Sequence, residues 1–325
     1  MRRERTKVTS AAIPTAVNLS LASMFLALNA VQFLALPAVL LPVDPLWGLC
    51  LVPIAFATPS FWSVIHEAFH GVLHPDQRVN NAVGRVLCVA FGSPFRLLRF
   101  GHLMHHKLSR TAFDSAEVYD PNRTSWLRAA SAYYPRLLFG LYVAELLSSV
   151  ALLLPKRVPE AIAMRAFAGD PAQGVDTVAA ARKALFAGDR FRELRLDGLA
   201  VTLLFGASFW LYGEYWPMLL AALLARGLLI SILDNAPHYG TPLGDNTFSY
   251  NLRLPSSLSR LFLNFNLHRT HHGHPNLPWI ALPDLFSRKD GRVDGSFARI
   301  VLRQLRGPIS LSSLPRWQTE MALRH

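Results

Sequence analysis

Residues 16–43 read AVNLSLASMFLALNAVQFLALPAVLLPV and carry no charge. The run exceeds the roughly 20 apolar residues that take a helix across a bilayer. Asp44-Pro45 follows as a turn signal. A second uncharged run, residues 46–65, reads LWGLCLVPIAFATPSFWSVI. The pair predicts a helical hairpin with both ends on one side of a membrane. Arg2, Arg3, Arg5 and Lys7 at the N-terminus place that side in the cytoplasm. A cleaved signal peptide would share the basic start but not so long an apolar core.

Working outward, Leu199–Tyr212 and Tyr215–Leu233 are two more apolar runs, separated by Gly213-Glu214. The first is short for a span and the second contains Arg226, but together they read best as a second hairpin. Leu137–Leu154 is apolar except for Glu145. Were it also a span, the histidine clusters described below would face opposite sides of the membrane. Tyr133–Leu154 is therefore read as an interfacial or re-entrant helix, with Trp126, Tyr133 and Tyr134 at headgroup level. The expected fold class is an all-α membrane protein: two transmembrane helical hairpins, about four spans, under a cytoplasmic helical cap.

Composition agrees. The 325 residues are 51% hydrophobic and 17% charged, with mean hydropathy +0.25, whereas a soluble domain is roughly a quarter charged. Two cysteines, Cys50 and Cys88, exclude a disulfide framework and a four-cysteine metal site. The net charge of +12 suits an anionic membrane surface or an acidic partner. No motif supports nucleic-acid binding. Lys156–Asp197 is polar, with a break at Gly169-Asp170-Pro171. From Ser287 the chain is basic, with Arg288, Lys289, Arg292, Arg299, Arg303 and Arg306. No low-complexity linker divides the chain, so residues 1–325 read as one domain: a core of about 16–286 and a basic cytoplasmic tail, 287–325.

All 12 histidines but the terminal His325 fall in three zones. The first is His66-Glu67-Ala68-Phe69-His70, with His74 beyond. The second is His102-Leu103-Met104-His105-His106. The third is His238 and then His268-Arg269-Thr270-His271-His272, with His274 beyond. Residues three and four apart share a helix face, so each box presents its imidazoles together. Neutral imidazole is the commonest nitrogen ligand for redox metals. Eight such rings suffice for two metal ions, and His238, just past the fourth apolar run, makes a ninth candidate. A lone His-x-x-x-His is a weak signal, but three boxes beside apolar runs are not. His74 and His274 break the spacing and read as outlying. His66-Glu67-x-x-His70 also matches the zinc-peptidase motif, with Glu67 as general base. That reading leaves the later boxes unexplained. A metal transporter would place its ligands inside the spans, and a b-haem carrier needs only two axial histidines per haem.

With these boxes the sequence resembles the membrane-bound fatty acid desaturase family, part of the histidine-box di-iron desaturase and hydroxylase superfamily, over about residues 16–286. The resemblance implies that His66, His70, His102, His105, His106, His238, His268, His271 and His272 are catalytic metal ligands. They would hold two iron ions that cycle between Fe2+ and Fe3+, with O2 as co-substrate; zinc can occupy such a site as an artefact. Asn235 or Asp234 could link a water to the metals. Glu67, Asp114 and Asp234 are candidates to orient rings. The implied reaction is attack on an unactivated C–H bond of a fatty acyl chain, free or linked to lipid, CoA or a carrier protein. Its outcome is a double bond, or alternatively hydroxylation, terminal alkene-forming decarboxylation or alkyne formation. Phe61, Trp62, Phe69, Phe95, Phe265 and Trp279 are candidate tunnel walls. No dinucleotide fingerprint or iron–sulfur cysteine set is present, so electrons must come from an external donor such as ferredoxin and its reductase. The implied location is a multi-pass protein of the inner or plasma membrane, with the N-terminus and active site cytoplasmic.

Overall fold

The computed structural model describes residues 12–168 and 175–314. Arg2, Arg3, Arg5, Lys7, the Gly169-Asp170-Pro171 break and His325 lie outside them. The fold is mostly helical. α1 (Thr15–Leu40) is followed by a turn in which the Asp44 carboxylate accepts the Leu46 N–H at 2.8 Å. The chain returns through α2 (Pro45–Phe56) and α3 (Thr58–His70), bent by 44° at their junction. Gly71, at φ 72°, closes α3 in the left-handed conformation that glycine tolerates best. α1 and α3 are antiparallel: the Asn18 amide donates to the Leu73 carbonyl at 3.0 Å, and Phe25 stacks on Phe61 with centroids 5.4 Å apart.

α4 (Gln77–Phe91) starts at Asp76, whose carboxylate caps the Arg78 N–H. It leads into α5 (Phe95–Leu108). α6 (Trp126–Pro135) runs through Arg136–Gly140 into α7 (Leu141–Ala151). The short α8 (Arg157–Ala166) and α9 (Thr177–Ala181) precede α10 (Arg190–Tyr212) and α11 (Trp216–Asn235). The latter two reverse at Gly213: the Tyr212 hydroxyl donates to the Gln32 carbonyl and Arg226 reaches the Gln32 side chain. A continuous helix could not bring both residues to one place. Gly48 lies against Met218 and Leu41, so the two hairpin turns share one end of the molecule. The histidine boxes occupy the other.

Thr15–Leu40 and the 190–235 stretch are each long and apolar enough to cross a membrane, and the bent α2–α3 pair would make a third such element. The α6–α7 helix does not meet that criterion among the described residues. It lies across the second hairpin. Leu137 clusters with Tyr239 and Ile232 at the end of α11, while the Arg195 guanidinium near the start of α10 donates to the Leu152 carbonyl at 3.1 Å. Leu137 in the middle of this helix and Leu152 at its C-terminal end therefore both meet the histidine end of the hairpin. The close crossing depends on Gly198, where an added Cβ would stand 2.7 Å from the Ser149 carbonyl oxygen. Gly198→Ala is expected to cost about 1–3 kcal/mol through overpacking, read as a lower thermal unfolding temperature of the purified protein.

α12 (Ser256–Leu261), α13 (His268–Gly273), α14 (Leu282–Leu285) and α15 (Phe297–Gln304) complete the histidine end. Two parallel strand pairs, each two residues per strand, stitch the C-terminal segment onto it. β1 (Val118–Tyr119) meets β4 (Ile309–Ser310), and β2 (Leu252–Arg253) meets β3 (Gly295–Ser296). Gln304 accepts from the Asn235 amide at 2.8 Å and donates to the Ile232 carbonyl at 3.0 Å. The basic segment thus folds back as far as residue 314. Its charge obscured this in the sequence, because Arg299 and Arg303 occupy the outer face of α15 while Ile300 and Gln304 are buried.

Inside the apolar bundle lies a buried cation. Arg226 is 1% exposed. Its guanidinium sits 5.7 to 5.9 Å from the ring centroids of Phe33, Phe61 and Phe91. Nη1 donates to Asn29 Oδ1 at 3.0 Å and to Gln32 Oε1 at 3.4 Å, while Nε and Nη2 have no partner among the described residues.

Candidate metal centre

α3 carries His66 and His70 on its last turns, one helical turn apart. α5 ends on His102, His105 and His106, and α13 begins on His268 and continues to His271 and His272. His238 follows α11 directly. These nine rings gather into two adjoining groups. The first is His66, His70, His102, His106 and His271; the second is His105, His238, His268 and His272. Within each group the candidate ligand atoms all lie within 4.8 Å of one another. α5 and α13 each feed both groups, because residues three apart and four apart diverge slightly around a helix. The groups touch where His106 stacks on His272, with centroids 4.2 Å apart.

The spacing inside the groups suits a cation better than hydrogen bonding. His70 Nε2 is 2.8 Å from His102 Nε2, and His106 Nε2 is 3.1 Å from His271 Nε2. His238 Nε2 faces both His105 Nε2 at 3.1 Å and His268 Nε2 at 3.0 Å. Imidazole nitrogens bound about 2.1 Å from one ion are neighbours at about 3 Å when they subtend a right angle. His66 Nε2 and His272 Nε2 are buried without a partner among the described residues, an arrangement that costs free energy unless something binds there.

Two interactions fix ring orientation. Asp114 Oδ2 is 2.5 Å from His105 Nδ1, and the Asn246 carbonyl accepts from His272 Nδ1 at 3.0 Å. With Nδ1 donating, the Nε2 lone pair of each neutral ring faces its group. Burial, reinforced by neighbouring rings, lowers the pKa of His102, His106, His238, His268 and His271. Burial also brings His272 down to about 3. These rings are neutral near pH 7, the form that binds metals. His105 is the exception: burial acts to lower it, but the Asp114 carboxylate outweighs burial and raises it. Asp114→Asn is expected to weaken metal retention about 10- to 100-fold, measured by competition with a chelator.

Asp114 thus stands where it can orient a ring. Glu67 does not: Oε2 accepts the Trp279 backbone N–H at 3.1 Å, which ties the loop after α13 to α3. Asn235 is engaged with Gln304, whereas Asp234 lines the cavities beside His105. His74 and His274 belong to neither group. The role of Asn246 had no signal in the sequence, since it acts through its backbone.

A cavity of about 480 Å³ opens from His102 and His105. Its wall includes Leu97, Leu141, Ile162, Phe167 and Phe186. Of the six aromatic residues expected to form a tunnel, only Trp62 lines it; Phe61, Phe69 and Phe95 pack in the core. Phe265 packs on His66 and His268. A ring's hydrophobicity does not say which way it faces. A family model described as fatty acid desaturase matches residues 45–298. The chain belongs to the fatty acid desaturase family. A search of curated proteins finds no match. Membership points to an oxidoreductase with a fatty acyl substrate, and the histidine clusters of this desaturase-family chain fit metal binding.

Proposed function

We propose that the protein is a membrane-bound di-iron oxidoreductase that introduces a double bond into a fatty acyl chain, with O2 as co-substrate. The observation that carries this reading is the pair of adjoining all-imidazole groups opening on an apolar cavity. Nitrogen-rich ligation without thiolate suits a redox metal. With two iron ions bound, the site would supply the oxidising power to attack an unactivated C–H bond. The nine histidines, His66, His70, His102, His105, His106, His238, His268, His271 and His272, would hold them. The chain's own residues do the rest. Asp114 and the Asn246 carbonyl hold two rings in the ligating tautomer, and the cavity wall grips the substrate chain and keeps water from it.

In this reading residues 1–325 are one domain with four spans: α1, the bent α2–α3 pair, α10 and α11. α6–α7 lies at the interface, because its exposed face is apolar (Leu138, Leu141, Leu147 and Val150) and Leu137 and Leu152 meet the polar end of the second hairpin. The basic N-terminus puts the histidine end in the cytoplasm. An external donor such as ferredoxin and its reductase supplies electrons. The engagement of Glu67 by Trp279 argues against a zinc peptidase, in which that carboxylate must face the metal.

The test is product analysis. The protein, expressed with ferredoxin and its reductase, is expected to yield fatty acids with a new internal double bond. An alcohol, a one-carbon-shorter terminal alkene or an alkyne would reassign the outcome on the same scaffold. No oxidised product from iron-loaded, reduced protein would overturn the reading.

A further inference from the structure

Beside the apolar cavity lies a second one of about 180 Å³ and different character. Arg110, Glu117, Tyr133, Arg136 and His238 line it. The two cavities meet at His105, Asp114 and Asp234, which line both. Most polar groups in the smaller cavity are committed. Arg110 pairs with Glu117 at 2.6 Å and donates to the Thr241 and Pro242 carbonyls. The Tyr133 hydroxyl donates to the Gln304 carbonyl, and Asp114 holds His105. Arg136 differs: it is exposed at the mouth and makes no hydrogen bond or ion pair among the described residues.

We propose that the two cavities form one channel for an unesterified fatty acid. The carboxylate sits at Arg136, the chain passes His105 and Asp234, and the methyl end fills the apolar limb. A guanidinium is the side chain best suited to a carboxylate, through paired hydrogen bonds. The proposal rests on the oxidoreductase reading and narrows its substrate class: thioesters and lipid esters have no free carboxylate to offer. Because the polar limb is the smaller, the reacting carbon falls nearer the carboxyl end than the methyl end. A phosphate, from a lipid headgroup or from coenzyme A, is the other anion that could reach Arg136, and the test separates it from a carboxylate.

The experiment is equilibrium binding of radiolabelled dodecanoate to the full chain in lipid nanodiscs, with and without iron. Dodecanoate is expected to bind at least about tenfold tighter than its methyl ester, as one charge-assisted contact allows. Arg136→Gln is expected to erase that advantage and leave ester binding unchanged, while Arg136→Lys restores part of it. Ala163→Phe, in the apolar limb, is expected to weaken hexadecanoate more than octanoate. Equal affinity for acid and ester, an unaltered Arg136→Gln protein, or tighter binding of lysophosphatidylglycerol or dodecanoyl-CoA than of dodecanoate would each overturn the proposal. Binding needs no turnover. A protein that selects the acid but oxidises nothing would sink the oxidoreductase reading alone, and one that oxidises chains without selecting the acid would sink the channel alone.

Discussion

Replacing His238 by alanine is expected to cost the protein one metal ion and lower its activity by at least about 100-fold, an effect on the scale of ligand loss. His70→Ala is expected to lose comparable activity while keeping more metal. The asymmetry follows from the two groups. His238 is the imidazole whose Nε2 meets those of both His105 and His268, so its loss leaves three rings out of four. His70 leaves four of five. Metal per chain is measured by mass spectrometry after anaerobic iron loading, counting zinc as well, because zinc outranks ferrous iron at most nitrogen sites. A His238→Ala protein that retained two ions and full activity would remove the four-imidazole group from the mechanism.

The second large effect concerns Arg226. Asn29→Ala is expected to destabilise the protein by about 1.5–3 kcal/mol, the worth of a hydrogen bond to a charged group, since it strips a buried cation of its closest acceptor. In an Arg226→Met background the same change is expected to cost far less, because the charge that needed Asn29 is gone. Thermal unfolding of the four proteins closes the cycle. Equal costs in both backgrounds would show that the two residues do not act together. The helices would then tolerate the guanidinium for another reason.

The nine histidines were legible because helical spacing turns a sequence pattern into a shared face, and three such faces beside apolar runs have few other uses. The hairpins were legible as uncharged runs separated by turn signals, even with Arg226 in the second. That residue is tolerated through contacts from α1, a partner in space that no local pattern announces. The partners of the rings divide in the same way. Asp114 could be named as a candidate because it is a carboxylate near a box. Asn246 could not, since it acts through a carbonyl that every residue possesses. Glu67 looked equally suitable and is drawn off by Trp279, far along the chain. The cavity wall was the least legible part, because packing direction rather than residue type decides which apolar groups face an opening.

α5 and α13 each send rings to both groups, which makes helical pitch a rigid ruler between the two sites. Their separation could change only by unwinding a helix or sliding one past the other, both far costlier than swinging a loop. A single residue inserted between His102 and His105 would rotate His105 and His106 by about 100° relative to His102 and disturb both groups at once, whereas the loops between boxes can change length away from Asp114 and Asn246. Drift in such a protein can therefore lengthen its connections and reshape its greasy pocket while the interval inside each box stays locked.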